Sequence, residues 1–284
     1  MPISEADLIL NKDGSVYHLN LKPEHLSDTI IAVGDPSRVY RVSEHFDKID
    51  FEMNKREFIT HIGKYKGNQV TVISTGMGTD NIEIFLTELD ALANINLKTR
   101  EPKSRKRKLK IIRVGTSGGL QEDIPLDSHL VSDYAVGLDT LMNFYNLQQD
   151  SFEEEVATDI QKAAGLGFTP YVARASQSLL KQFGEGMIVG NTVTCPGFYG
   201  PQGRKLRLEL KHPRLLDDLN YYHKGDFWLT NFEMETAGYY AMARLMGHEM
   251  LSVNAIIANR MQNKFSKNAT KAVDSLIVKV LDRI

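Results

Sequence analysis

The chain has 284 residues, a formal net charge of −2, 42% apolar residues and 25% charged residues. This balance fits a globular chain with enough apolar surface for a sizeable core, and near-neutral charge argues against a general nucleic-acid binder. Its one cysteine, Cys195, excludes an intramolecular disulfide, and neither a signal peptide nor a membrane span is read, so a cytoplasmic protein is expected.

Residues 1–28 read as irregular and include Tyr17-His18-Leu19. Thr29 to Val33 is the first convincing strand. Gly34-Asp35-Pro36-Ser37-Arg38 follows: glycine turns the chain, Asp can cap a helix, and Pro suits the first helical position. Arg38 then sits on the first helical turn. That is an anion site by geometry, or simply a capped helix with a solvated arginine. Arg56 to Ile62 and Gln69 to Ser74 read as strands joined near Lys66-Gly67-Asn68, with Arg56 and Glu57 as charges before the first. Ser74-Thr75-Gly76-Met77-Gly78 is a second glycine loop. Ile82, Phe85, Leu86, Leu89, Leu92 and Ala93 then keep helical spacing, so strand and helix alternate.

Lys98 to Lys110 carries eight basic residues and reads as a basic surface insertion. No aromatic residue interleaves them, so a solvated loop is expected rather than a nucleic-acid surface. Next comes Ile111 to Leu120, I-I-R-V-G-T-S-G-G-L. Two apolar residues read as the end of a buried strand, followed by Arg113 and a three-glycine loop. Backbone N–H groups and a guanidinium would meet beyond a strand's carboxyl end, where open α/β sheets bind ligands. The plain alternative is a turn with a surface arginine.

Asp127 to Val136 and Gly186 to Val193 read as strands and Glu153 to Ala164 as a helix, with no linker, so a single domain spanning 1–284 is expected. Cys195 to Arg204, C-P-G-F-Y-G-P-Q-G-R, is turn-rich and irregular. Phe198, Gln202 and Arg204 suit a planar heterocycle: the ring stacks, while amide and guanidinium meet its edge. Cys195 has no evident base beside it and is not read as a nucleophile. In Asn231 to Thr236, N-F-E-M-E-T, Glu233 and Glu235 would share a strand face and could accept a ribose diol's hydrogens. They could equally be first-turn helix acids. Glu249 to Ala258 is the last strand, followed by Asn259 and Arg260, and Asn268 to Ile284 is a terminal helix. The histidines lack metal-ligand spacing, so no metal is expected.

Together these segments resemble the nucleoside phosphorylase family, closest to its uridine-cleaving members. The resemblance runs through H-L-N-L at His18, V-G-D-P-S-R at Gly34, R-E-F at Arg56, S-T-G-M-G at Ser74, R-V-G-T-S-G at Arg113, F-Y-G-P-Q-G-R at Phe198 and F-E-M-E at Glu233. It implies an α/β fold with a central mixed, partly closed β-sheet flanked by helices. It implies that Gly34, Arg38, Arg113 and Thr116 hold phosphate, with Arg56 reaching in from a neighbouring subunit. Met234 and Glu235 would hold the ribose, and the neighbour's copy of residue His18 its 5′-hydroxyl. Phe198, Gln202 and Arg204 would hold uracil, with Arg260 supporting Arg204. Arg113, Gln202, Arg204 and Glu235 would carry the catalysis. The implied reaction is phosphorolysis of uridine to uracil and ribose 1-phosphate, with inorganic phosphate as co-substrate, no cofactor, and a homodimer as the smallest unit or a hexamer as in bacterial relatives. Neither nucleic acid nor membrane is an expected partner.

Purine-cleaving relatives place an aspartate after the last strand, where this chain reads A-N-R at Asn259. Three departures stand out. Asp80 and Asn81 replace the usual proline and serine, which questions a monovalent-cation site near Glu57. The basic segment looks inserted. Gly203 fills a position that is acidic in some relatives. Alternatives are a purine or other nucleoside phosphorylase, a nucleosidase, or a nucleoside-binding protein without turnover.

Overall fold

The apolar run Thr29–Val33 forms β1, with four of its five residues buried. It is seen in a computed structural model that describes residues 2–284. α1 (Ser37–Ser43) follows one residue later than the sequence suggests: Pro36 occupies the N-cap, and the Asp35 carboxylate accepts from the Ser37 amide at 2.9 Å. β2 (Lys48–Lys55), β3 (Phe58–Tyr65) and β4 (Asn68–Ser74) form an antiparallel meander. The β3–β4 turn uses Lys66 (φ 49°) and Gly67 (φ 82°), both left-handed, which matches the natural twist of paired strands. β2 is not among the expected strands, although Ile49, Phe51 and Met53 alternate with polar residues along it.

α2 (Thr79–Asn94) buries Ile82, Phe85, Leu86, Leu89 and Leu92, as their spacing predicts. The basic segment after it holds more fixed structure than a solvated loop. It opens with a small hairpin, β5 (Ile95–Asn96) and β6 (Glu101–Pro102). Lys103 Nζ then donates to the Ala93 carbonyl at 2.9 Å, closing the end of α2, and Asn94 brackets the Arg107 backbone from both sides.

β7 (Lys110–Gly119) and β8 (His129–Gly137) follow. α3 (Ser151–Ala163) starts at a reciprocal capping box between Asp150 and Glu153. Then come β9 (Tyr171–Arg174), α4 (Gln177–Phe183), β10 (Ile188–Thr194), α5 (Leu215–Tyr221) and the β11 (His223–Lys224)–β12 (Phe227–Trp228) hairpin. β13 (Asn231–Glu233), α6 (Thr236–Met246), β14 (Glu249–Asn259), β15 (Lys264–Phe265) and α7 (Ala269–Leu281) complete the chain.

β7 corrects the sequence reading. The strand does not stop at Ile112: its glycines remain in the sheet to Gly119. β14 runs parallel beside it from Glu249 opposite Lys110 to Asn259 opposite Gly119, and β13 pairs antiparallel with its last two residues. Most N–H groups of the supposed loop are therefore engaged in sheet pairing. These pairings close a ring, β7–β14–β8–β10–β13–β7, from which β1, β4, β3 and β2 extend as an open sheet. That is the mixed, partly closed sheet implied above. The largest apolar core packs α2, α6 and α7 on β1, β4, β7 and β14, and a second packs α3 and α5 on the other side of the ring. Among the described residues no helix is long and apolar enough to cross a membrane.

Candidate active site

Arg113 stands within β7 and is only 4% exposed, so its charge requires partners. Gly115 makes its position possible: a Cβ there would lie 2.0 Å from Arg113 Nη1, because i and i+2 share a strand face. Nη1 donates to Asn254 Oδ1 at 2.8 Å, and Nη2 lies 2.5 Å from Glu235 Oε2 and 3.0 Å from Glu233 Oε2. The register explains the meeting. β13 runs back along β7, with Asn231 opposite Gly119 and Phe232 opposite Gly118, so the next residues return towards Arg113. Burial alone would lower the Arg113 pKa, but the two carboxylates overcome it and hold the guanidinium above its ordinary value. Burial raises Glu235, against the pull of Arg113.

The two glutamates divide their work. Glu233 ends β13 and accepts from Thr194 Oγ1 at 2.8 Å and from the Glu235 and Thr236 amides at 3.0 Å, opening α6. Glu235 has already left the strand (φ −138°, ψ −31°), so strand alternation is not what sets it beside Glu233. Its other oxygen accepts from the Gly78 amide at 2.9 Å, which ties the second glycine loop to the site. Met234 lies half-buried between them.

Arg38 approaches from α1. It is 8% exposed, donates from Nη1 to the Val114 carbonyl at 3.1 Å, and leaves a buried Nε without a partner. Burial, and then repulsion from Arg113, lower its pKa to about 10. Two buried guanidinium groups that repel each other, one with an open donor, are an arrangement chemically able to take an anion. Gly34 lies beside it, passing the Gly76 carbonyl so closely that a Cβ would sit 3.3 Å from that oxygen. Thr116 is half-buried on β7, three residues after Arg113, and among the described residues its side chain makes no hydrogen bond.

The turn-rich loop after β10 supplies the other group of predicted residues. Gln202 is 3% exposed, and its Oε1 accepts from Arg204 Nη1 at 2.5 Å. Arg204 stacks 3.8 Å over the Phe198 ring and lies 5.9 Å from that of Phe232, the residue before Glu233. Burial lowers its pKa, as does neighbouring Arg260. Arg260 acts through backbone, donating to the Gln202 carbonyl at 3.1 Å. One face of Phe198 is thus covered by Arg204, while the ring remains 50% exposed. Gly203 has a structural reason: its φ is +66°, and a Cβ would meet Leu216 Cγ at 2.7 Å. Cys195 is buried, and burial pushes its thiol well above the ordinary range, which suits packing rather than attack.

His18 and Arg56 stand apart from this group. His18 Nδ1 lies 2.7 Å from Glu88 Oε1, and Arg56 is exposed over the Tyr17 ring at 5.9 Å. Neither makes a hydrogen bond or ion pair with Arg38, Arg113 or Glu235 of the same chain. Sequence reading missed Asn254 and Thr194, which hold Arg113 and Glu233. For Asn254 a signal existed: Ser252 and Asn254 are polar residues two apart in a strand buried almost throughout.

Residues 28–283 match the Phosphorylase superfamily. The chain is 31% identical over 277 residues, 95% of its own length and 88% of the relative's, to a Thermococcus kodakarensis protein named uridine phosphorylase. It is 28% identical over 244 residues, 83% of this chain and 84% of the other, to a Listeria welshimeri protein named DeoD-type purine nucleoside phosphorylase. The solved structure of a Trypanosoma brucei nucleoside phosphorylase, described as showing uridine phosphorylase activity, matches with a TM-score of 0.88 and 29% identity, covering 98% of this chain and 100% of that one. Both the length of the match and the ring that folds two glutamates back onto Arg113 lead to one conclusion: the chain belongs to the phosphorylase superfamily.

Proposed function

We propose that this chain catalyses the phosphorolysis of uridine, giving uracil and ribose 1-phosphate. The observation that supports the reading is the buried Arg38–Arg113 pair beside the Glu235 carboxylate, with Arg204 of the loop after β10 lying 5.9 Å from the ring of Phe232, which precedes Glu233. Phosphate would be held by Arg38, Arg113, Thr116 and the backbone at Gly34. Glu235 would accept from the ribose hydroxyls, with Met234 against the sugar. A phosphate oxygen bonds to C1′ as the C1′–N1 electron pair departs with the base, which then takes a proton from solvent. Negative charge growing on O2 and O4 needs preplaced donors rather than a strong acid. The Gln202 amide N–H₂ and the Arg204 guanidinium supply them, and the second lone pair on Gln202 Oε1 can accept from N3–H. The chemistry calls for no resident cofactor or metal. His18 and Arg56, which stand apart from Arg38, Arg113 and Glu235 of their own chain, would complete the site of a second copy, so the working unit is at least a homodimer. One buried cysteine fits a cytoplasmic setting.

Asn259 favours a pyrimidine over a purine. It stands where purine-cleaving relatives carry an aspartate, yet it is fully engaged in its turn. Its amide donates to the Gln121 and Ile124 carbonyls, and its oxygen accepts from the Met261 and Gln262 amides. The test is release of free base from a nucleoside panel with and without phosphate. Uracil appearing from uridine only with phosphate is expected. Base release without phosphate, or preference for inosine, would overturn the proposal.

A further inference from the structure

The basic segment before β7 takes no part in the site described above. It gathers at the opposite pole of the sheet, where β1 and β7 begin: Thr29 and Lys110 both line a concavity of about 640 Å³ there. Lys103, Arg105, Lys106, Arg107, Lys108 and Lys110 line it too, against one carboxylate, Asp28. Eight of the chain's 34 Lys and Arg residues fall within 98–110, while the remainder of the chain is net acidic. The positive field is therefore local.

The six cations fall into two groups. Lys103 closes the end of α2, Arg107 pairs with Asp28 at 2.6 Å and donates to the Leu26 carbonyl at 2.7 Å, and Lys108 lies 3.5 Å from Glu249. These contacts fix the backbone. Arg105, Lys106 and Lys110 are exposed, and among the described residues none has a hydrogen bond or ion pair from its side chain. Cations presented on a fixed backbone lose less freedom when a ligand binds. The volume lies in the ordinary range for small-ligand sites. No aromatic residue lines the concavity, so it offers no platform for nucleic-acid bases.

We propose that this concavity binds a chain of linked phosphates, such as tripolyphosphate or the tail of a nucleoside triphosphate. One phosphate would meet only some of the cations; several linked ones can reach the free Arg105, Lys106 and Lys110 together. The site is separate from the uridine reading, and its test does not depend on turnover.

Titration calorimetry with sodium tripolyphosphate, at about physiological salt where non-specific attraction is screened, would compare the wild type with R105A/K106A/K110A. One tripolyphosphate per chain is expected, bound at least about tenfold more weakly by the variant. K106A alone should show a smaller loss and serves if the triple variant does not fold. A nucleoside triphosphate binding no tighter than tripolyphosphate would place recognition in the phosphates alone; tighter binding would add the nucleoside. Equal affinity in wild type and variant, no binding of tripolyphosphate at that salt, or binding of an oligonucleotide in its place would overturn the proposal.

Discussion

Replacing Arg113 with alanine would leave Glu233 and Glu235 buried beside each other without their cation. Breaking a buried pair in this way costs about 3–5 kcal/mol, so R113A should lower the denaturant midpoint substantially as well as abolish most phosphorolysis. Activity measured on folded protein would separate the two effects, and near-normal turnover would refute the anion-site assignment. Arg204 differs because it is partly exposed and packs on Phe198 within one loop. R204A should cost about 2–4 kcal/mol in kcat/KM for uridine, as for a lost preorganised donor, with little change in the midpoint. An unchanged kcat/KM would show that the base is gripped elsewhere.

At the scale of elements, the site depends on β7 continuing past Arg113. Were β7 to end at Ile112, β13 would have no strand to run back along, and Glu235 would have no route to Arg113. Gly115 tests this directly. The Cβ in G115A falls 2.0 Å from Arg113 Nη1, so the guanidinium must shift away from Asn254. Phosphate KM should rise more than uridine KM, and thermal stability should fall; equal changes in both KM values would argue that Arg113 does not orient phosphate. The length of β7 has a physical source. Glycine-rich stretches usually end strands, but here the missing side chains make room for neighbours: Arg113 over Gly115, and the Phe232 ring beside Gly118.

For the whole molecule, subunit exchange is the sharpest test of assembly. If Arg56 serves a neighbouring site, R56A and R113A are each inactive alone, but a hybrid dimer holds one intact site. Co-refolding equal amounts should restore roughly a quarter of wild-type activity by random pairing; no recovery in demonstrated hybrids would place Arg56 outside the partner's site. The pH dependence of stability follows from burial. His25, His61 and His129 are all lowered below 6.5, in each case mainly by burial. The unfolded chain therefore takes up these protons first as pH falls. The stability is fully present above about 6.5 and declines below it, towards the lower folded pKa values. His61, fully enclosed and 2.8 Å from Ser43 Oγ, is the clearest contributor. H61Q should flatten the fall in Tm between neutral and mildly acid pH; an unaltered slope would assign it elsewhere.

The sequence by itself determined what local periodicity and side-chain chemistry can encode. That covers β1, the β3–β4 hairpin, α2, α3, the irregular loop after β10, and the residue types able to hold an anion, a sugar and a base. Only the tertiary structure decided that Arg113 lies inside a strand, that β13 folds back upon it, that Glu233 opens α6 while Glu235 faces the site, and that Asn254 fixes the guanidinium. Apart from the local cap by Glu233, these depend on strand register between segments more than a hundred residues apart. A window of neighbouring residues cannot express such long-range pairing, because its energy appears only when the distant strand arrives.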